Sequence, residues 1–242
     1  MEKIVKENVS TFNQDVAENG GYRYTENASF SSIVSNLRLT NETDRIIRLV
    51  PSKVESIIDV GCGDGAYTAE IKQRFPNVEV TGFDPADVAI SNASRKFSSC
   101  KFLVGNILDP QSFPRQKYDL AIIRGVIHHL PTQIDAIKNA MMLSDNILII
   151  EPNGNNPILK WIEKNSKYHI DHEEQSFTSK FFVDVCRSLG LKIRHLGFVG
   201  FVPFFFPEIP SRVIYFFQPL LEKIPFLARF FGGQIIILAS KN

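Results

Sequence analysis

Residues 57–68 read Ile57-Ile58-Asp59-Val60-Gly61-Cys62-Gly63-Asp64-Gly65-Ala66-Tyr67-Thr68, a β-friendly run passing into three glycines at alternate positions. Ile57, Ile58 and Val60 predict a strand, and a helix-compatible segment from Tyr67 to Phe75 follows at once. A strand that turns sharply into a helix while its backbone closes on a ligand needs positions without a Cβ, which would block the approach. The next predicted strand ends in Asp84, 19 residues after Gly65. That distance suits a carboxylate accepting hydrogen bonds from ribose hydroxyls. The pattern therefore points to a nucleoside-bearing cofactor.

Two cofactor classes share this outline. Gly61, Gly63 and Ala66 can be fitted to the dinucleotide fingerprint, whose third position tolerates alanine. Asp59 argues the other way, because a carboxylate at the strand tip repels a pyrophosphate but attracts a cationic sulfonium and amino group. The run Asp59–Gly65, Cys62 included, resembles the first motif of class I S-adenosylmethionine-dependent methyltransferases. Thr81-Gly82-Phe83-Asp84-Pro85 resembles the second motif, in which the acid holds the ribose. Phe102-Leu103-Val104-Gly105-Asn106-Ile107 resembles the third, whose polar residue and its successor flank adenine; the usual residue at position 106 is Asp, and Asn106 can still accept or donate there. Tyr118–Pro131 resembles the fourth strand and its loop, and Asn146–Pro152 the fifth strand. The matches arrive in family order over roughly residues 50–152. The resemblance implies S-adenosylmethionine as cofactor, and a Rossmann-like α/β fold with a seven-stranded, mostly parallel sheet, helices on both faces and the last strand antiparallel. It further implies that Arg124 and Gly125 border the methionine moiety.

The rest of the chain fits one α/β domain. It has 242 residues, 44% hydrophobic and 22% charged, enough for a substantial core but short for two independent domains. A net charge of +1 without a Lys/Arg cluster excludes a strong pull on nucleic acid. Cys62, Cys100 and Cys186 lack Cys-x-x-Cys spacing and suit reduced thiols, so neither a disulfide nor a zinc site is expected. The first residues lack the apolar core of a signal peptide, and a cytoplasmic location is expected. Residues 1–50 read as a helical preface or lid, with Phe12, Tyr22 and Tyr24 either reaching the cofactor or covering core, and with Asn41 or Thr43 capping a helix through Ile46, Ile47 and Val50. Residues 51–242 read as the core. Its predicted strands are Ser56–Val60, Val78–Phe83, Lys101–Gly105, Asp119–Arg124, Asn146–Glu151, Leu191–Val199 and Gln234–Ser240.

Two insertions, 153–177 and 198–231, are expected to choose the substrate. In the first, His169, His172 and Glu173 share helical spacing. They read as an acid/base cluster, as a metal site without an obvious fourth ligand, or as a solvated turn. The second holds 10 of the 20 phenylalanines and five prolines, and its longest uncharged run is too short to span a bilayer. It can cover the core, form a homodimer face or rest on a membrane surface. His128 and His129 follow the fourth strand, His129 being the better candidate for chemistry. The expected activity is methyl transfer to a small-molecule, sugar or lipid-linked acceptor, at oxygen, with His129, His169, His172 or Glu151 as base and no metal. A nicotinamide-dependent oxidoreductase and a non-catalytic cofactor-binding scaffold are the alternatives.

Overall fold

The computed structural model describes residues 13, 29–165, 175–204 and 206–241. The strands are aliphatic and buried on both faces in the middle of the sheet, and exposed or alternating at its two edges, Lys101–Val104 and Lys192–Val199. They are β1 (Ser56–Val60), β2 (Glu79–Asp84), β3 (Lys101–Val104), β4 (Leu120–Arg124), β5 (Asn146–Pro152), β6 (Lys192–Val199) and β7 (Gln234–Ser240). One seven-stranded sheet has the order β3-β2-β1-β4-β5-β7-β6. β1 pairs parallel with β2 and with β4, β2 pairs parallel with β3, and β7 runs antiparallel to β6. The expected count and the antiparallel last strand are both found. After β1 the chain builds outward to β3, then returns to place β4 on the other side of β1. Such a reversal opens a crevice at the carboxyl ends of the two strands.

The chain divides into two compact units. Among the described residues, the first comprises 13, 50–148 and 241. Its helices are α2 (Ala66–Arg74), α3 (Asp87–Lys96) and α4 (Gln133–Leu143), preceded in the chain by α1 (Phe30–Ile47) of the second unit. α2 packs on β2, and α3 on β2 and β3. Ile57, Ile58, Leu120, Ala121, Ile122 and Ile123 are wholly buried, together with Ala89, Ala93, Ile137 and Ala140 from the helices. Small residues on the buried side of α3 let it lie close to the sheet.

The second unit comprises 29–49, 149–165, 175–204 and 206–240 among the described residues. It adds α5 (Pro157–Asn165), α6 (Ser179–Ser188), α7 (Glu208–Leu221) and α8 (Pro225–Phe231). α1 packs on α7 and β6, α6 and α8 on β6, and α8 on α5. α1 begins 11 residues before the expected cap at Asn41, because the Ser29 side chain accepts the Ser32 N–H at 3.2 Å and starts the helix there. Thr43 is mid-helix, its hydroxyl donating to the Leu39 carbonyl at 2.9 Å. α7 likewise starts earlier than its apolar run suggests: Pro210 falls in the first turn, where no intrahelical N–H is lost. The orientation of α7 is unusual, with Ser211 and Gln218 buried and Ile209, Val213, Phe216 and Leu220 exposed.

Candidate cofactor site

The loop leaving β1 is held from both sides. Gly61, Gly63 and Gly65 have φ of 76°, 53° and 77°, the left-handed region that favours glycine. The Gly61 N–H donates to the Phe83 carbonyl on β2 at 2.7 Å, and the Gly65 N–H closes the turn on the Cys62 carbonyl at 3.0 Å. A Cβ on Gly61 would lie 2.2 Å from Val126 Cγ2, in the loop after β4. One on Gly65 would lie 2.6 Å from the Phe102 ring and 2.8 Å from Ala93. A strand-to-helix glycine turn suggests, from sequence, that these spaces are kept for a ligand. Protein side chains fill them instead at Gly61 and Gly65, so those two glycines let β1, β3, α3 and the post-β4 loop close on one another.

Two buried carboxylates stand at neighbouring strand ends. Asp84, the last residue of β2, accepts the Gly63 N–H at 2.9 Å on one oxygen and the Ala86 N–H at 2.8 Å on the other. Burial raises its pKa, and these two bonds oppose the rise. Asp59 on β1 accepts the Thr68 hydroxyl at 2.6 Å. Burial pushes its carboxyl up to about 6; the Thr68 bond and the Arg124 charge act against this, and Asp84 adds to it. Arg124, the last residue of β4, lies with its guanidinium 4.1 Å from the centre of the Tyr67 ring. The thiol of Cys62, buried between these acids, is raised well above its ordinary value. It stays protonated and serves as packing.

The remaining groups follow β3 and β4. Asn106 donates its N–H to the Ser112 hydroxyl, while its side-chain oxygen accepts the Leu108 N–H, both at 2.9 Å. That second bond assigns the oxygen and leaves the amide nitrogen as the donor end. Ile107 is buried, and its carbonyl accepts the Asn139 side-chain amide at 2.9 Å. Gly125 has φ of 66°, and a one-turn 3-10 helix, Ile127–His129, follows it. The rings of His128 and His129 are 3.9 Å apart, centre to centre, and both are half-buried.

The structure thus gathers Asp59, Gly61, Cys62, Gly63, Gly65, Asp84, Pro85, Asn106, Ile107, Arg124, Gly125 and His129 in the first unit, at the ends of β1 to β4. Glu151 belongs to the second unit and is buried on β5. His169 and His172, with Phe12, Tyr22 and Tyr24, lie outside the described residues. No metal-binding cluster occurs among the described residues, and the three cysteines are free. Thr68, Tyr67, Val126, Phe102 and Ser112 were not anticipated. Thr68 had a legible signal, a hydroxyl placed in the first turn of the helix that the glycine loop feeds. The two carboxylates suit a ligand with a positive centre and a diol, and repel a pyrophosphate.

Comparison with known proteins agrees. Residues 58–145 match a family model described as a methyltransferase domain. A trans-aconitate 2-methyltransferase from Escherichia coli O7:K1 is 28% identical over 120 residues, covering 49% of this chain and 45% of that relative. One from Shigella flexneri is 30% identical over 98 residues, covering 40% and 38%. The chain thus spans less than half the length of these curated relatives. Among solved structures, a SAM-dependent methyltransferase from Archaeoglobus fulgidus aligns with a TM-score of 0.60 at 17% identity, over 86% of this chain and 94% of that one. Magnesium protoporphyrin IX methyltransferase from Synechocystis, with bound SAH, aligns with a TM-score of 0.60 at 15% identity, over 89% of each chain.

Proposed function

We propose, on the premise that the core of this chain is a class I S-adenosylmethionine-dependent methyltransferase domain, that the protein moves a methyl group to a small-molecule, sugar or lipid-linked acceptor, at oxygen. The observation that carries the reading is the Asp84 carboxylate, held by the Gly63 and Ala86 N–H groups beside the glycine turn and one strand from Asp59. In this reading Asp84 holds the ribose hydroxyls. Asp59, with the glycine turn, balances the positive charge of the amino-acid part, Arg124 and Gly125 border that part, and Asn106 with Ile107 flanks adenine. S-adenosylmethionine supplies, when bound, an already activated methyl group, so the protein's task is alignment and exclusion of water.

An acceptor hydroxyl must also lose a proton. Among the candidate bases, His129 is the one within the described first unit, and an imidazole suits that task near neutral pH. Glu151, His169 and His172 are its competitors. The relatives' name makes trans-aconitate the first acceptor to try, followed by sugars and lipid-linked sugars. The outward apolar side chains within 198–231 suit contact with a membrane surface or a second copy of the chain, and we place the activity in the cytoplasm. Neither the oxidoreductase nor the scaffold alternative gathers support from the relatives.

The test uses the purified chain. S-adenosylhomocysteine should raise its melting temperature and NADH should not; the reverse would sink the reading. With a hydroxyl acceptor that is turned over, His129→Gln should leave S-adenosylhomocysteine affinity unchanged and slow transfer by roughly 10²–10⁴-fold, whereas a carboxylate acceptor such as trans-aconitate, already ionised near neutral pH, needs no base. An unaltered rate would move the role of base elsewhere.

A further inference from the structure

α7 is inside out. Its buried side chains, Ser211 and Gln218, are polar and seven residues apart, which puts them on one face. Ile209, Val213, Phe216 and Leu220 form the opposite stripe, with Ile209 at 79% and Phe216 at 77% of full exposure. Phe217 and Ile224 widen this stripe. The inward face is fastened. Gln218 donates its side-chain amide to Glu222 at 2.9 Å, the Gly200 N–H donates to the same oxygen at 3.3 Å, and the Arg38 guanidinium of α1 pairs with the other carboxylate oxygen. The apolar stripe faces outward because its opposite side is tied down by a half-buried ion pair.

The stripe presents on the order of 700 Å² of apolar side chain, above the few hundred usual for the largest patch on a monomer. Phe226 of α8 and Trp161 of α5, which packs on α8, are also exposed. Charge then distinguishes the occupant. Between residues 206 and 233 both acids are neutralised, Glu208 by Arg212 and Glu222 by Arg38. Lys223 and Arg229 are exposed, with no acidic partner among the described residues. The face is aromatic and aliphatic, its two acids are paired, and Lys223 and Arg229, the latter over the Phe230 ring, leave its charge positive. It has the make-up of a surface that sinks into the headgroup boundary of an anionic bilayer. No helix among the described residues is long and apolar enough to cross a membrane.

We infer that the α7–α8 face is a peripheral docking surface for an anionic lipid bilayer. This deepens the acceptor reading by favouring its lipid-linked class, and rests on that reading for its purpose alone. The test is flotation of the full chain with phosphatidylcholine vesicles containing about one-third phosphatidylglycerol, against vesicles of phosphatidylcholine alone. The protein should float with the anionic vesicles and little with the neutral ones. The double variant Phe216→Glu, Leu220→Glu and the double variant Lys223→Glu, Arg229→Glu should each lower the bound fraction at least about tenfold, with an unchanged circular dichroism spectrum. Absence of flotation, equal flotation on neutral vesicles, or flotation indifferent to these variants overturns the inference. So does a dimer in sedimentation that the Phe216→Glu, Leu220→Glu variant dissociates while vesicles go unbound. Flotation needs no cofactor, and S-adenosylhomocysteine binding needs no lipid, so failure of either reading is seen separately.

Discussion

Replacing Asp84 by Ala removes an acceptor that serves the protein and the proposed ligand together. In the cofactor-free protein, the Gly63 and Ala86 N–H groups lose their partner. Each buried orphan costs about 1–3 kcal/mol. That loss is partly offset, because the carboxylate itself is disfavoured by burial, as its raised pKa shows. The melting temperature of the free protein should therefore fall modestly. Affinity behaves differently, because it loses charge-assisted bonds to the ribose and nothing compensates. A loss of about 1–3 kcal/mol corresponds to roughly 5- to 150-fold in Kd for S-adenosylhomocysteine. Asp84→Asn keeps the shape but accepts only one of the two N–H groups, its amide nitrogen being a donor that opposes the other, so it should lose affinity and melting temperature relative to wild type. Isothermal calorimetry reads the affinity, and thermal melting of the unliganded proteins reads the brace. An Asp84→Ala protein that stays folded and binds S-adenosylhomocysteine within twofold of wild type would falsify the assignment.

Gly61→Ala should destabilise the chain by about 1–2 kcal/mol through its left-handed backbone, and by about 1–3 kcal/mol more through the contact with Val126. Val126→Ala in the same chain should restore the second part only; strictly additive urea melts of the two changes would contradict the interlock. Asp59 gives a pH dependence of defined sign. Its carboxyl stands at about 6 in the folded chain against an ordinary 3.8, so the folded state holds the proton more tightly. The resulting stability is fully present below about pH 4 and is lost as pH rises through about 6, amounting to about 3 kcal/mol. Asp59→Asn should abolish that slope in the cofactor-free protein, and a wild-type-minus-variant difference that is flat from about pH 4 to 7 would refute it.

The strands and the glycine turn were legible because each rests on local pattern. Aliphatic runs such as Ala121–Ile123 fit only a strand covered on both faces, and three alternate glycines announce backbone with positive φ. What fills the space beside those glycines was not legible. Val126 and Phe102 are 65 and 37 residues from the turns they abut, and only strand order brings them there. The start of α1 was misread for a local reason: Asn41 and Thr43 look like caps, but Ser29 captures the first free N–H earlier. The face of α7 was hidden because a stripe of Ile, Val, Phe and Leu ordinarily marks the inward side. Here the ion pair between Arg38 and Glu222, 184 positions apart, reverses it.

The seating of Val126 against Gly61 has a bearing on how this scaffold can be retargeted. The loop that carries Val126 also carries His128 and His129, so the proposed acceptor-side histidines and the glycine turn after β1 are mechanically one piece. Lengthening or grafting that loop to admit a new acceptor disturbs the glycine turn after β1 unless a side chain of valine's girth is kept two positions before the first histidine. Libraries aimed at altered selectivity should freeze that position and diversify around it.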